Sequence, residues 1–320
     1  MSIDTKIPPV ADQTENATVG AVEEQKPIPK KRKRRFGDRR DGRRVRTLPP
    51  MSYLIPYIMR TRNDAQNQFE DSFDITETDK FMRDLRKQGY KNLSILHVIL
   101  AAYIRTIATR PGVNRFISGQ RIYHRNTIEV NMTVKKEMSL DAPDTMIKVF
   151  FEPTDTIYDV YEKFNKVVEE ATAENSNTDF DKIAKTLASI PGLIFRGAVN
   201  LLFFLDYFDL LPKALLKISP FHGSLIITSM GSLGIPPIYH HLYNFGNLPA
   251  FISYGRKYHK NVVNADGEME HRTFVDMKVV CDERICDGYY YASAFKLIKK
   301  YVVSPAILTM PPETIIEDID

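Results

Sequence analysis

The residues best suited to chemistry lie in one short segment near the C-terminus, Phe274–Tyr289, with the sequence Phe-Val-Asp-Met-Lys-Val-Val-Cys-Asp-Glu-Arg-Ile-Cys-Asp-Gly-Tyr. This segment is predicted to form a strand, a tight turn and the start of a helix. Asp287 and Gly288 suit the helix start, because an aspartate accepts hydrogen bonds from free amides and glycine permits close packing. Glu283 places a carboxylate, which can act as a proton acceptor, in the turn itself.

Two upstream segments accompany this turn. Ser224–Ile235, with the sequence Ser-Leu-Ile-Ile-Thr-Ser-Met-Gly-Ser-Leu-Gly-Ile, places two adjacent hydroxyl groups, Thr228 and Ser229, at the end of a predicted strand. Pro249–Gly255, with the sequence Pro-Ala-Phe-Ile-Ser-Tyr-Gly, begins another predicted strand. A hydroxyl group can donate a hydrogen bond to a developing oxyanion, so the three segments together contain a candidate base and a candidate oxyanion donor.

These segments resemble a known family. Asp282, Arg284, Asp287 and Gly288 match the signature Asp-His-Arg-x-x-Asp-Gly of the acyltransferase domain in 2-oxoacid dehydrogenase complexes, whose relative in chloramphenicol acetyltransferases is His-x-x-x-Asp-Gly. Ser224–Ile235 resembles the family's Phe-Thr-Ile-Ser-Asn-Leu-Gly segment, and Pro249–Gly255 resembles its strand Gln-Ala-Ile-Leu-Gly-Val-Gly. The motifs occur in family order and, with Arg110–Phe116, extend the resemblance over residues 50–310.

The resemblance implies a fold and an activity. The expected fold is the α/β, chloramphenicol acetyltransferase-like sandwich, a mixed sheet covered by helices, with residues 48–311 as the acyltransferase-like domain. The implied activity transfers an acyl group from a small-molecule thioester donor to a small-molecule acceptor, with coenzyme A or acyl-CoA as co-substrate and no metal. The family forms trimers whose active sites lie between subunits, so a homotrimer is expected.

The resemblance also assigns catalytic roles to individual residues. Glu283 occupies the position of the family's catalytic histidine, which deprotonates a thiol or a hydroxyl acceptor. The hydroxyl that hydrogen-bonds the oxyanion aligns with Thr228, or with Ser229 if the alignment shifts by one residue. The reactive thiol or alcohol would then attack the thioester.

Structural roles at the site follow from the same alignment. Asp287 and Gly288 hold the turn, and the family's aspartate is salt-bridged to an arginine from the N-terminal part of the domain. Arg60 and Arg62 are the candidates for that arginine.

Glutamate in place of histidine is the main departure from the family. Deprotonating a thiol of pKa near 8.5 is uphill by roughly 2.7 kcal/mol for an ordinary histidine and roughly 5.7 kcal/mol for an ordinary glutamate. The difference of about 3 kcal/mol corresponds to a rate lower by about 100-fold. Burial can raise the pKa of a glutamate by about 2 units or more, which would remove most of this difference. An ionised carboxylate also repels a thiolate.

Other side chains near these segments could act as a base or a nucleophile. One of His222, His240 and His241, which flank the Thr228 segment, could replace the missing base across a subunit interface, although loop or packing roles are favoured. Cys286 lies near a helix N-terminus, the only feature in the sequence that would lower its pKa. His97 is expected to pack inside a buried helix. The other three histidines are expected at exposed strand or hairpin positions: His124, His259 and His271.

Composition excludes several classes of protein. The 320 residues are 43% apolar, enough for a substantial core. The chain has only two cysteines, which cannot form a zinc quartet or a secreted disulfide framework. The N-terminus lacks an apolar signal core, and no long uncharged apolar run predicts a spanning helix. A cytoplasmic protein is expected.

Charge is concentrated in an N-terminal arm, residues 1–47, which carries 13 Lys/Arg and 7 Asp/Glu, whereas the rest of the chain carries a net charge of −2. Residues 1–29 are too polar to order themselves, and Lys30–Arg35 is a polybasic run. The run favours a solvated arm over contact with nucleic acid or an anionic membrane, because only Phe36 could stack on a base. Asp38–Arg43 indicates an ordered arm lying on the domain.

The remaining pattern predicts a mixed α/β domain followed by a C-terminal tail, residues 312–320. Thr76 or Thr78 is expected to cap the first long helix, and Asn264–Gly267 predicts a hairpin turn. Strands are predicted at 66–75, 122–123, 127–135, 146–152, 224–228, 250–259 and 273–281, and helices at 77–87, 93–109, 157–171, 178–190 and 289–302.

The segment Leu193–Lys217 is strongly apolar but contains Arg196, Asp206, Asp209 and Lys213. A helix pair broken near Pro212, in the core or at a subunit interface, is favoured over a membrane-surface helix because aspartates lie within the apolar stretch.

Three hypotheses follow from the whole sequence. The first is an acyltransferase with Glu283 as an atypical base. The second is a pseudoenzyme that keeps the trimeric scaffold for ligand binding or regulation. The third is a nucleic-acid- or membrane-associated protein that acts through its basic arm. No attached lipoyl domain fits into the polar and basic arm, so a stand-alone protein is expected.

Overall fold

The computed structural model describes residues 33–135, 144–173 and 189–319. Its strands are β1 (Gly42–Arg44), β2 (Gln66–Asp74), β3 (Arg115–Ser118), β4 (Arg121–Arg125), β5 (Ile128–Lys135), β6 (Asp144–Phe151), β7 (Leu225–Ser229), β8 (Ala250–Val263) and β9 (Met269–Asp282). Its helices are α1 (Pro50–Ile58), α2 (Thr76–Lys87), α3 (Ile95–Thr109), α4 (Ile157–Thr172), α5 (Gly192–Tyr207), α6 (Lys213–Ile218) and α7 (Gly288–Val303). The expected mixed α/β class is confirmed.

The main sheet has six strands in the order β2-β9-β8-β7-β5-β6. The β5–β7 and β7–β8 pairs are parallel and the others are antiparallel. A second sheet, in the order β1-β4-β3, lies beside it. The predicted hairpin between β8 and β9 is confirmed, since Asn264 N–H donates to the Glu268 carbonyl at 2.9 Å and Gly267 adopts a positive φ of 83°.

One face of the main sheet is covered by helices, and we call the other its open face. Successive strand residues point to opposite faces, and on β7 the core contains Leu225 and Ile227, which puts Thr228 on the open face. Helix α3 is buried along nearly its whole length and packs against α4 and α7. Its apolar residues on all sides predicted this burial.

The start of α2 differs from the prediction. Its N-cap is Ile75, and neither Thr76 nor Thr78 caps the helix. The Thr76 hydroxyl donates to the Asp74 carboxylate at 2.6 Å, and the Thr78 hydroxyl donates to the Val302 carbonyl at 2.5 Å. Both hydroxyls therefore bind groups outside the helix, and the second ties α2 to the end of α7.

The described part of the N-terminal arm belongs to the fold. Gly42–Arg44 pairs with β4, and Asp38 and Arg39 are buried, as expected for an ordered arm. The C-terminal tail is also anchored. Ile316 N–H donates to the Ala108 carbonyl at 2.8 Å, and Asp318 pairs with Arg115. The packed domain therefore extends beyond the expected limits of 48 and 311 at both ends.

The apolar segment after residue 192 forms α5 and α6, with Pro212 as the N-cap of α6, so the predicted break is confirmed. Of the two expected locations, the core is wrong, and a subunit interface stays a prediction. Within α5 only Asp206 is buried, and large apolar side chains are exposed along the helix. Each helix in the described ranges is too short or too polar to span a bilayer. The helix predicted at 178–190 falls almost wholly outside the described residues.

Candidate functional site

The turn after β9 is fixed by charged side chains on both sides of Glu283. Asp282 N–H donates to the Pro249 carbonyl, and Glu283 N–H donates to the Ala65 carbonyl, both at 2.8 Å. Arg284 binds the Asp282 carboxylate through two hydrogen bonds, of 2.7 and 2.6 Å, and donates a third to the Met59 carbonyl at 2.9 Å. This clamp fixes the backbone at residue 283 between the sheet and the segment that follows α1.

Arg62 completes the clamp. Its Nε lies 3.9 Å from the Asp282 carboxylate, and its Nη atoms donate to the carbonyls of Asn244 and Ile117 at 2.9 Å. Burial, with the charge of Arg284 nearby, lowers the pKa of Arg62 to about 10, while Asp282 acts in the opposite direction. Arg62 therefore remains charged at neutral pH and cross-links three loops.

The expected ion pair between Asp287 and Arg60 or Arg62 is not formed within the described chain. Asp287 instead caps α7 by accepting a hydrogen bond from Tyr290 N–H at 2.8 Å, and Arg62 faces Asp282. Arg60 is exposed and lines a cavity of about 210 Å³ together with Arg62 and Arg284. The capping role predicted for Asp287 and the helix-start position of Gly288 are confirmed.

Glu283 itself is half-buried. Among the described residues, none forms a hydrogen bond or an ion pair with its carboxylate, whereas its neighbours Asp282 and Arg284 are both bound. The turn therefore presents one carboxylate without an internal partner.

The neighbouring thiols cannot serve as nucleophiles at neutral pH. Burial raises the pKa of Cys286 to about 12, and burial also raises the pKa of Cys281. The Tyr291 hydroxyl donates to the Asp282 carbonyl at 2.7 Å, which ties α7 to the turn. These residues are structural parts of the site.

The two candidate oxyanion donors differ in their surroundings. Ser229 Oγ accepts a hydrogen bond from Ser232 N–H at 3.3 Å and also contacts the Tyr254 hydroxyl, whose pKa is raised to about 12 by burial. Thr228 lies on the open face, half-buried, and its hydroxyl has no hydrogen-bond partner among the described residues. Thr228 is therefore better placed than Ser229 to bind a substrate.

Thr228 and Glu283 are far apart along the sheet. Thr228 aligns with Ser253 on β8, and Ser253 aligns with Lys278 on β9. Glu283 is five residues beyond Lys278, which amounts to about 17 Å along the strand, and β7 and β9 are about 10 Å apart across the sheet. A single chain does not bring the candidate base and the candidate oxyanion donor together.

The open face carries polar groups that sequence reasoning missed. Lys278 Nζ lies 3.4 Å from the Glu70 carboxylate and 4.6 Å from the centroid of the Tyr239 ring. Tyr239 donates to the same carboxylate at 3.2 Å. The alternation of polar and apolar residues along β2 and β9 could have indicated that Glu70 and Lys278 face away from the core. Only the order of the strands in the sheet shows that they lie side by side.

The three histidines near Thr228 have different roles. His222 is 1% exposed, with Nε2 3.4 Å from Asp206 and Nδ1 2.8 Å from Ser219 Oγ. Burial lowers the pKa of His222, so it is neutral at physiological pH. His240 is stacked on Phe251 with ring centroids 4.2 Å apart and also stacks on the exposed His241. His222 therefore has a packing role, and only His240 and His241 remain accessible.

The other histidines lie in packed or exposed positions. His97 is buried and forms a capping box with Ser94 at the start of α3, so the packing role predicted for it is confirmed. His124 is part-buried beside Asp318, so its expected exposure is wrong. His259 and His271 stack on each other in the exposed hairpin, as expected.

The fold of this chain is similar to that of solved acetyltransferase domains. The chain has a TM-score of 0.53 to dihydrolipoamide acetyltransferase from Azotobacter vinelandii, with 13% identity over 88% of this chain and 99% of that one. It has a TM-score of 0.52 to a probable dihydrolipoamide acetyltransferase from Listeria monocytogenes, with 13% identity over 81% of this chain and 94% of that one.

A third solved structure, a truncated catalytic core of the 2-oxoacid dehydrogenase multienzyme complex from Thermoplasma acidophilum, gives a TM-score of 0.50, with 12% identity over 82% of this chain and 99% of that one. No family model matches the chain, and no curated protein matches it in sequence. The resemblance read from the motifs is thus confirmed at the level of the fold.

Proposed function

We propose that the protein is a coenzyme A-dependent acyltransferase that works as a homotrimer, with Glu283 of one copy as the base and Thr228 of another as the oxyanion donor. The observation that carries this proposal is the clamp of Asp282, Arg284 and Arg62, which fixes the turn and leaves the Glu283 carboxylate without a partner among the residues that the structure describes. The acetyltransferase fold supports it.

The separation of Thr228 and Glu283 within one chain also supports a shared site. Groups about 17 Å apart along a sheet cannot act on one thioester, because reacting atoms must lie about 3–3.5 Å from their catalytic groups. In the family that the motifs resemble, the active sites lie between subunits. A second copy would bring its own Thr228 to the turn of the first.

The first test measures thiol release from a series of acyl-CoA thioesters by the full chain with candidate acceptors. We expect Glu283→Gln to abolish turnover and Glu283→His to retain or raise it, because an imidazole is the better-matched base for a thiol. Thr228→Val is expected to lower turnover by about 100-fold or more, the usual effect of removing one oxyanion donor. Glu268→Gln, an exposed change in the β8–β9 hairpin, is the matched control.

Mixing the variants tests the shared site directly. Trimers assembled from Glu283→Gln and Thr228→Val chains contain some interfaces with an intact pair, so they are expected to recover part of the activity. Unchanged turnover in Glu283→Gln would defeat the assignment of the base. Acyl-CoA that raises the melting temperature without any turnover would instead identify a ligand-binding pseudoenzyme, since ligand binding stabilises the folded state.

A further inference from the structure

Helix α5 has an apolar stripe that faces solvent. Leu193, Gly197, Leu201, Phe204 and Phe208 follow one another at intervals of three or four residues, so they share one side of the helix. Leu193 is 86% exposed, and Leu201, Phe204 and Phe208 are each more than half exposed. A solvent-exposed apolar stripe of this length marks a surface that binds another protein or a membrane.

Helix α1 has a second stripe of the same kind. Met51, Leu54, Tyr57 and Ile58 are each more than half exposed and lie about one turn apart. Tyr57 of α1 meets Phe208 at a cavity of about 610 Å³, which joins the two helices. We call the stripes and this cavity the two-helix surface.

Charged side chains line the cavity between the stripes: Arg34, Arg39, Arg40, Arg121, Asp38 and Asp209. The buried Arg39 is balanced by Asp41 and Asp206. The exposed Arg34 and Arg121 therefore carry the positive charge that this surface presents to solvent. Arg34 and Arg40 both approach the Asp209 carboxylate, at 3.7 Å. Arg121 is exposed and has no acidic partner among the described residues. Arg34, which lines the cavity, belongs to the polybasic run Lys30–Arg35 of the sequence.

Buried ion pairs hold the C-terminal end of α5 against the protein, and Phe203 adds an edge-to-face contact with Phe245 at a centroid distance of 5.0 Å. Arg39 is 4% exposed, pairs with Asp206 at 3.1 Å and lies 3.8 Å from Asp209. Arg39 also binds Asp41 of the arm at 2.8 Å. The polar side of α5 therefore faces the protein through Asp206, which leaves the apolar stripe facing outward.

We propose that the two-helix surface binds anionic phospholipid bilayers, with the apolar stripes in the boundary between headgroups and acyl chains and with Arg34 and Arg121 on lipid phosphates. Apolar stripes flanked by basic residues are the two features that interfacial helices combine. Each basic residue near an anionic bilayer adds about 1 kcal/mol of attraction. Charge favours a bilayer over a contact between copies, because lipid phosphates pair with Arg34 and Arg121, whereas an apolar protein contact would bury both charges without adding partners for them.

The test is co-sedimentation of the full chain with vesicles of phosphatidylcholine alone and of phosphatidylcholine mixed with phosphatidylglycerol, at rising NaCl concentrations. We expect binding to the mixed vesicles only, weakening as salt increases. Replacing Arg34 and Arg121 with glutamine should weaken binding about fivefold for each residue, the change that corresponds to about 1 kcal/mol. Lys91→Gln, an exposed change elsewhere, is the matched control.

The double variant Leu54→Ser with Phe208→Ser tests the apolar stripes. Both side chains are more than half exposed, so the fold should be retained, and vesicle binding should be lost. Met269→Ser, which is 69% exposed in the β8–β9 hairpin, is its control and should bind normally.

Four results would overturn the proposal. They are equal binding to neutral and anionic vesicles, normal binding by the double variant, a smaller particle in light scattering of the double variant, and release from vesicles by soluble phosphate at constant ionic strength. A smaller particle would identify an interface between copies, and release by phosphate would identify a site for a soluble anion. Glu283→Gln should bind vesicles like the wild type, so this proposal stands or falls independently of the proposed chemistry.

Discussion

Replacing Asp282 with asparagine is expected to destabilise the protein more than any other single loss of charge at the turn. The Asp282 carboxylate accepts two hydrogen bonds from Arg284 and lies 3.9 Å from Arg62. Both arginines are at most 6% exposed, so neither can recover its lost interaction from water. Removing one partner of a buried ion pair costs about 3–5 kcal/mol. Asparagine keeps one acceptor, which favours the lower end, about 3 kcal/mol.

Urea unfolding followed by circular dichroism measures this loss. With a denaturant slope of about 2–3 kcal/mol/M, a loss of about 3 kcal/mol moves the midpoint by roughly 1–1.5 M. Asp266→Asn, an exposed change in the β8–β9 turn, is the control and should leave the midpoint in place. Combining Asp282→Asn with Arg284→Met should cost less than the sum of the two single changes, since the second change removes a charge that the first leaves unpaired.

A midpoint for Asp282→Asn within the error of the wild type would refute this reasoning. So would strict additivity in the double variant. Either result would mean that water reaches the two guanidinium groups, and the turn at residue 283 would then be a mobile loop instead of a fixed one.

Three more outcomes can be checked. Gly231→Ala would put a Cβ atom 2.5 Å from the Gly255 carbonyl oxygen. The melting temperature of this variant should fall by the equivalent of about 1–3 kcal/mol. Gly197→Ala, where the Cβ atom meets open space, should leave stability unchanged or raise it. Burial raises the pKa of Asp318, but its bonds to Arg115 outweigh this and lower the pKa to about 2. The resulting stabilisation of about 2 kcal/mol is present above the unfolded value of 3.8 and lost as pH falls toward 2, so the unfolding free energies of the wild type and Asp318→Asn should converge by pH 2. Burial lowers the pKa of His222, so wild-type stability should fall as pH drops below about 6.5, the unfolded value, and His222→Gln should reduce that fall in pH-dependent melting.

The sequence predicted most of the fold because its elements carry strong local signals. The fully apolar α3, the turn at Asn264–Gly267 and the break at Pro212 each follow from residues close together in the chain. The cap of α2 was wrong because the Thr76 and Thr78 hydroxyls bind groups outside the helix, which local preference cannot show. The sequence left a core and a subunit-interface location open for α5, and the core alternative was wrong because apolar residues indicate burial without saying which surface covers them.

The sequence located the turn that carries Glu283 but not the contacts of the residues around it. The motif around Glu283 identified the turn, and the charge pattern of Asp38–Arg43 identified the docked arm. The partner of Arg62 could not be read from the motif, since Asp282 and Asp287 flank the same turn and only the fold decides between them. The polar groups on the open face come from strands distant in sequence.

The clamp also bears on how a carboxylate could replace an imidazole. An imidazole that accepts a proton becomes a cation and attracts the thiolate it has formed, whereas a carboxylate becomes neutral and offers no such attraction. Arg62, Arg284 and Asp282 together leave one positive charge beside Glu283. On the proposed function, this fixed charge would attract the thiolate after proton transfer, but it attracts the ionised carboxylate in the same way before it. The clamp therefore holds a negative charge at the turn on either side of the transfer, without supplying the additional attraction that an imidazolium gains on protonation.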